Sequence, residues 1–257
     1  MSSLSELVAK IQQKKELRGI APPLVEQTLS NYIKKIPLSP KNLPIQEEKV
    51  LIKEIRAKLR KMTGQFQKSS KKREILLEQD NIQALLKTHQ STAERLLFYP
   101  YLKNLIKNLS VHKIIDLGCG LNPIALANKT QEYYAYDIKE DELSLVKKFF
   151  MKHKIKGYAK FMDIRALHDN ELPKADLCLL FKVLDLIEHR GHKLAEIILK
   201  QIPCPYILIS FSTKTLSGKP MNHPQRGWLE QLSHRLGYSF HLIKSQNEIF
   251  YLIKKEF

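Results

Sequence analysis

The stretch Ile114-Ile115-Asp116-Leu117-Gly118-Cys119-Gly120-Leu121-Asn122-Pro123 reads as a buried strand, a glycine-containing turn and the start of a helical segment. Gly118 and Gly120 permit torsions and a close approach that a Cβ would block. A ligand can therefore lie across the carboxyl end of the strand, where open α/β sheets bind ligands. Asp137 ends the next strand-like run, Tyr133-Tyr134-Ala135-Tyr136-Asp137, at the usual offset for an acid that accepts from both ribose hydroxyls. Position 123, where a dinucleotide site wants its third glycine, is Pro, so there is no pyrophosphate to cradle. Asp163-Ile164, near the end of another expected strand, fits an adenine clamp in which Asp163 accepts from the exocyclic amine and Ile164 packs on the ring. It fits equally a loop acid near a strand end.

Other reactive side chains suggest less. Cys119, Cys178 and Cys204 form neither a disulfide framework nor the paired spacing of a zinc site, and a reducing interior suits them. Pro203-Cys204-Pro205 resembles on paper the nucleophile motif of cytosine-C5 methylation. It precedes the fifth strand instead of following the fourth, and reads as a tight turn. No metal is expected.

Strands and helices alternate from about residue 110. The strand-like runs are 113–117, 133–137, 175–181 and 206–211, with 239–243 and 249–253 as an antiparallel pair at the edge. Such alternation implies right-handed crossovers and a mainly parallel sheet, and continuous apolar runs suit strands covered on both faces. Residues 1–80 differ. Leu4, Leu7, Val8 and Ile11 recur at helical spacing. Pro22-Pro23 closes that helix or opens the next, which carries Leu24, Val25, Leu29, Tyr32 and Ile33. Pro37, Pro40 and Pro44 mark an extended connection, and a third helix is expected from near Glu47 to the stretch Arg60–Gly64. The prediction is a small basic helical domain over 1–80 and a catalytic α/β domain over 81–257.

The chain has 257 residues, 43% of them hydrophobic, enough for a real core in both parts. Its formal net charge of +17 suits a polyanionic partner, because Lys and Arg that neutralise phosphates release counterions. No apolar run approaches the roughly 20 residues needed to span a bilayer, and the N-terminus shows no apolar signal core, so a cytoplasmic protein without a membrane partner is expected.

Asp-Leu-Gly-Cys-Gly is similar to the glycine loop of class I methyltransferases. Three further segments sharpen that likeness: His89-Gln90-Ser91-Thr92-Ala93-Glu94-Arg95, Lys182-Val183-Leu184-Asp185, and Ser210 to Lys219. With Asp-Leu-Gly-Cys-Gly-Leu-Asn-Pro they resemble the Arm/Rmt family of 16S rRNA guanine-N7 methyltransferases, which confer aminoglycoside resistance by methylating a guanine of the decoding site. The resemblance covers roughly residues 80 to 255. It departs at Ser212 and at Asp185, where the family has Pro, and both departures fall near the expected base pocket.

The resemblance implies a Rossmann-like class I domain that uses S-adenosyl-L-methionine and acts on 16S rRNA in the small ribosomal subunit. It implies that Arg95 binds the methionine carboxylate, Gly118 and Gly120 form the cofactor loop, Asp137 holds the ribose, and Asp163 with Ile164 clamps adenine. Ser91 and Glu94 fit a capping box, Ser-x-x-Glu, as well as any functional role. His89 is open between structural and functional roles. Guanine N7 carries a free lone pair, so no general base is expected and in-line positioning carries the catalysis. Phe181-Lys182-Val183-Leu184 stands where amino-methyltransferases place their Asp/Asn-Pro-Pro-Tyr/Phe element.

Lys182, Lys214, Lys219 and Arg226, with Trp228 and Phe181, are candidates to hold an opened target, since A-form RNA hides N7 in a narrow groove. Trp228 reads also as a core helix residue. Lys71, Lys72 and Arg73 end the basic cluster of the helical domain and are candidates for docking on the subunit. All cofactor motifs lie downstream of that domain, which predicts a cofactor site independent of it. Alternatives are a class I methyltransferase acting on another rRNA or tRNA position, such as adenine N1, and a non-catalytic ribosome-assembly factor.

Overall fold

The computed structural model describes residues 4–34, 44–63, 72–168, 171–188, 191–215 and 218–256. Pro37, Pro40, Gly64 and Lys71 lie outside them.

Three helices form the N-terminal unit: α1 (Leu4–Gln12), α2 (Pro22–Ile33) and α3 (Ile45–Thr63). Pro22 and Pro23 open α2, at the positions where a missing N–H costs nothing. The apolar stripes meet in a separate small core of Leu7, Val8, Ile11, Leu24, Val25, Leu29, Leu51, Ile55 and Leu59. The expected helices are all present, and the third begins two residues before Glu47.

Four short helices follow: α4 (Arg73–Glu78), α5 (Ile82–Leu86), α6 (Gln90–Arg95) and α7 (Tyr99–Asn108). Leu77, Leu85, Leu86, Tyr99 and Leu102 of this group join the core on one face of the sheet. The strands are β1 (Lys113–Leu117), β2 (Glu132–Asp137), β3 (Lys156–Phe161), β4 (Leu177–Phe181), β5 (Tyr206–Ser212), β6 (Ser239–Lys244) and β7 (Glu248–Lys254). Between them lie α8 (Asn122–Leu126), α9 (Glu140–His153), α10 (Leu184–Ile187), α11 (Lys193–Gln201) and α12 (Gly227–Arg235). The sheet order is β3-β2-β1-β4-β5-β7-β6. The first five strands run parallel, and β7 pairs antiparallel with both β5 and β6, as the sequence predicts for its last two strands.

Alternation along each strand divides the catalytic core in two. Ile114, Leu177 and Leu179 face one layer, while Ile115, Cys178 and Leu180 face the other. Each layer is helix-covered, which is why these strands read as continuous apolar runs. The carboxyl ends of β1, β2 and β4 converge on one edge, and the parallel order reverses between β1 and β4. That reversal is where such sheets open a crevice.

Candidate active site

The turn after β1 is built for close approach. Gly118 has φ +69° and Gly120 φ +48°. A Cβ on Gly118 would lie 2.5 Å from a Val183 methyl, and one on Gly120 would lie 3.2 Å from the His89 ring. The amides of Gly118 and Cys119 donate to the Tyr136 carbonyl at 2.8 and 2.9 Å, which ties the turn to the end of β2. Asp137 completes the tie: its Oδ2 accepts from the Gly120 amide at 2.8 Å and its Oδ1 from the Lys139 amide at 2.9 Å. Both oxygens keep lone pairs for a further donor.

A cavity opens over this turn. Gly118, Gly120, Asp137, Asp163 and Ile164 all line it, as do Met62, His89, Glu142, Lys182 and Val183. Three of the four cofactor elements singled out in the sequence thus meet at one place. Asp163 precedes a short 3-10 turn, Ile164–Ala166, and its carboxylate accepts two guanidinium hydrogen bonds from Arg165, at 2.8 and 2.5 Å.

The fourth, Arg95, lies behind the wall. It is 1% exposed and does not line the cavity. Its guanidinium donates to Glu248 Oε2 at 2.7 and 3.3 Å, to Asn122 Oδ1 at 2.6 Å and to Ser91 Oγ at 3.1 Å. Ser91 and Asn122 do line the cavity, so Arg95 acts on it through them. Burial works against its charge, but Glu248 and Tyr99 together outweigh it, so the proton is held above the usual guanidinium range. A carboxylate of the chain occupies the guanidinium that the family resemblance reserves for the cofactor.

Other side chains singled out in the sequence are placed partly as expected and partly not. Ser91 and Glu94 do not form a capping box: the residue before α6 is His89, and no side chain caps that end. Ser91 serves Arg95, and Glu94 accepts from Lys182 Nζ at 2.6 Å. Lys182 is not solvated: it is 7% exposed with φ +59°, lines the cavity and lies 3.5 Å from Glu248 Oε1. Arg73 is buried too, donating to Thr88 Oγ1 at 2.8 Å and to Glu142 Oε1 at 3.5 Å. Lys72, Lys214 and Lys219 are exposed. Arg226 pairs with Asp185 at 2.8 Å, so the departure from the family at Asp185 has a partner of its own. Trp228 is half-buried against the sheet core, stacked on His192 at 4.1 Å. Cys204 is buried, its thiol pushed up to about 12 chiefly by burial, which makes it a poor nucleophile.

Sequence reasoning missed Glu142 and Met62. Glu142 is in the first turn of α9, 1% exposed, beside His89 and Arg73. Burial raises its carboxyl, but the charges of His89, Lys139 and Arg73 outweigh that and hold it below the usual range. Burial and the nearby Glu142 charge push Asp137 the other way, above the usual carboxylate range. Burial also lowers His89, to about 4. The run of acids Glu140-Asp141-Glu142, opening a helix shortly after the ribose-type Asp137, was the available signal for Glu142. Nothing in the sequence pointed to Met62.

A five-stranded parallel sheet with an antiparallel β7 inserted before β6, a glycine turn after β1 and an acid ending β2 define a Rossmann-like class I methyltransferase fold. Comparison with known proteins narrows this. Residues 77–252 match the sequence profile of the family described as ribosomal RNA methyltransferase (FmrO), and the chain belongs to that family. The 16S rRNA (guanine(1405)-N(7))-methyltransferase of Serratia marcescens is 25% identical to it, over 98% of this chain and 99% of that one. Two solved structures share the fold over nearly the full length of both chains. The 16S rRNA methylase RmtB aligns at TM-score 0.77 and 22% identity, covering 99% of each chain. The 16S rRNA methyltransferase RmtF, solved with S-adenosyl-L-homocysteine, aligns at TM-score 0.81 and 23% identity, covering 100% of each. The Arm/Rmt resemblance read from the motifs agrees with these matches.

Proposed function

We propose that this protein methylates N7 of a guanine in the decoding region of 16S rRNA, within the small ribosomal subunit, using S-adenosyl-L-methionine. The observation that carries the reading is the joint one: the Gly118–Gly120 turn, Asp137 and the Asp163-Ile164 pair line one cavity in a chain of the rRNA methyltransferase family. Its likeness to a guanine-N7 methyltransferase runs over almost the whole of both chains.

The residues fit the cofactor. A Cβ at Gly118 or Gly120 would crowd the turn that a nucleoside must approach. Asp137 accepts the ribose hydroxyls while its amide bonds to Gly120 and Lys139 keep the carboxylate oriented. Asp163, already aimed by Arg165, accepts from the adenine amine, and Ile164 packs on the ring. Arg95 orients Ser91 and Asn122 on the remaining wall. When bound, the cofactor supplies a sulfonium methyl that needs no further activation. The protein's task is to hold N7 in line with it; N7 already bears its lone pair, so no proton has to be removed first.

The two-part organisation is part of the proposal: a helical unit that docks and an α/β unit that transfers, with α4 going with the sheet it packs on. Exposed Lys72, Lys214 and Lys219 make phosphate contacts, which position an enzyme without reading sequence. The compartment is the cytoplasm, where the subunit is; among the described residues no helix is long and apolar enough to cross a membrane. Cells expressing the gene are expected to resist aminoglycosides that bind the decoding site.

The test is methyl transfer from labelled S-adenosyl-L-methionine to isolated small subunits, free 16S rRNA and tRNA. Borohydride reduction and aniline should then nick the modified 16S rRNA at one guanine, because 7-methylguanine is cationic and labile. Methyl found on adenine, cytosine or ribose by mass spectrometry would replace this reading with another rRNA methylation, and no transfer to any RNA would leave the assembly-factor role.

A further inference from the structure

The cofactor cavity is not confined to the catalytic unit. Met62, in the last turn of α3, lines it together with Asp163, Ile164 and Arg165. Met62 also lines an adjoining polar cleft with Lys58, Asn31, Asp163 and Arg165, which places it on the Asp163 side, where adenine would lie. A second attachment reaches the ribose side. The Ala21 amide donates to the Ile138 carbonyl at 3.0 Å, and the Glu140 amide donates to the Gly19 carbonyl at 2.7 Å. Ile20 and Lys139 thereby form a short antiparallel bridge directly after Asp137. The fit is close: a Cβ on Gly19 would fall 2.1 Å from the Asp141 carboxylate. Ile138 and Phe161, beyond the end of β2 and at the end of β3, pack against the small helical core itself.

We propose that the N-terminal helical unit is a working part of the cofactor site, with Met62 as the wall over the adenine and the Gly19–Ala21 clip fixing the loop that presents Asp137. This rests on the cofactor reading above and overturns the expectation that the site is independent of the helical unit. A thioether wall is suited to the task, since Met adapts its shape and its sulfur contacts aromatic rings favourably. The two attachments, one at the end of α3 and one in the segment before α2, reach different halves of the nucleoside. Shifting the unit therefore changes cofactor affinity, and by reciprocity the cofactor biases the position of the unit.

The experiment is calorimetric titration of S-adenosyl-L-homocysteine into the full-length protein and three variants. Met62→Ala should bind about tenfold more weakly, since it loses most of an apolar contact, and Met62→Leu should restore most of that loss. Ala21→Pro removes the donor to Ile138 while keeping a backbone angle that proline accepts, the native φ being −59°; it should weaken binding roughly threefold. Ligand-free melting temperatures show whether each variant is folded, and the two sites report independently. If folded Met62→Ala and Ala21→Pro bind as the unmodified protein does, the proposal is wrong. Failure of the unmodified protein to bind would instead overturn the cofactor reading on which it rests.

Discussion

Glu248, at the start of β7, holds Arg95, at the end of α6, in an ion pair with both side chains 1% exposed. Ser210 Oγ donates to the same carboxylate oxygen at 2.7 Å, so that oxygen is well satisfied while Arg95 is present, and the other, Oε1, faces Lys182 Nζ at 3.5 Å. Removing one partner of a buried pair leaves an uncompensated charge, at a cost of about 3–5 kcal/mol. Arg95→Ala should therefore lose stability of that order in urea denaturation, and Arg95→Met with Glu248→Leu should recover much of it. A stability change below about 1 kcal/mol in the single variant would show that the pair does not hold the fold.

Asp137 should dominate cofactor affinity. Losing a charge-assisted hydrogen bond to a ligand costs on the order of 1.5–3 kcal/mol, roughly a tenfold to hundredfold loss in affinity. Asp137→Ala is expected to weaken S-adenosyl-L-homocysteine by that factor in calorimetry, with the fold retained. Because burial raises the Asp137 carboxyl, affinity in the unmodified protein should also fall as pH is lowered into the mildly acidic range. Unchanged affinity in a folded Asp137→Ala variant would move the site elsewhere.

The sheet and the cofactor loop were legible because their signals are local. Residues 113–117 read as a strand and are β1, since a parallel strand buried on both faces needs an unbroken apolar run. The turn at Gly118 and the acid at Asp137 follow from strand ends and glycine torsions. What could not be read is pairing at a distance. Arg73 reaches Glu142 across 69 positions and Arg95 reaches Glu248 across 153, and no periodicity marks either acid as the partner. Both arginines were accordingly read as facing a ligand. Ser91 and Glu94 misled for a related reason: Ser-x-x-Glu is a local pattern, but tertiary partners, Arg95 and Lys182, use both side chains.

Asp116 gives a pH signature of its own. It is fully buried, accepts from Tyr133 at 2.7 Å, and burial pushes its carboxyl up to about 7, against roughly 3.9 in an unfolded chain. Between those values the folded state binds more protons than the unfolded one. Its contribution to stability therefore falls as pH rises from about 4 to 7 and is level above. His89 acts oppositely: held near 4, it makes the folded state lose stability as pH falls from about 6.5 toward 4. Comparing unmodified protein with Asp116→Asn isolates the first effect. The difference in stability between them should shift in favour of the variant from pH 5 to pH 8, and parallel curves would refute the assignment.

Docking on the small subunit should run through the exposed cations of the helical unit and its tail. Lys53 and Lys61 on α3 and Lys72 before α4 are exposed. Not every nearby cation belongs to this set. Arg56 spends its guanidinium on the Lys10 and Ile11 carbonyls, Arg60 pairs with Glu16 at 2.7 Å, and Arg73 is buried on Glu142. Each phosphate contact adds about 0.7 to 0.9 log units of affinity loss per tenfold rise in salt on simple helices. Reversing Lys53, Lys61 and Lys72 to Glu together should therefore weaken subunit binding and flatten its salt slope by up to about 2 to 3 log units per tenfold rise. None of the three lines the cofactor cavity, so S-adenosyl-L-homocysteine affinity should be preserved in the same variant. Arg73→Ala is the contrasting control: it should lower the melting temperature, by stripping Glu142 of a partner, while leaving the salt slope in place. A triple variant whose subunit affinity and salt slope match the unmodified protein would remove this surface from the docking interface and leave Lys214 and Lys219, on the loop after β5, as the cations to test.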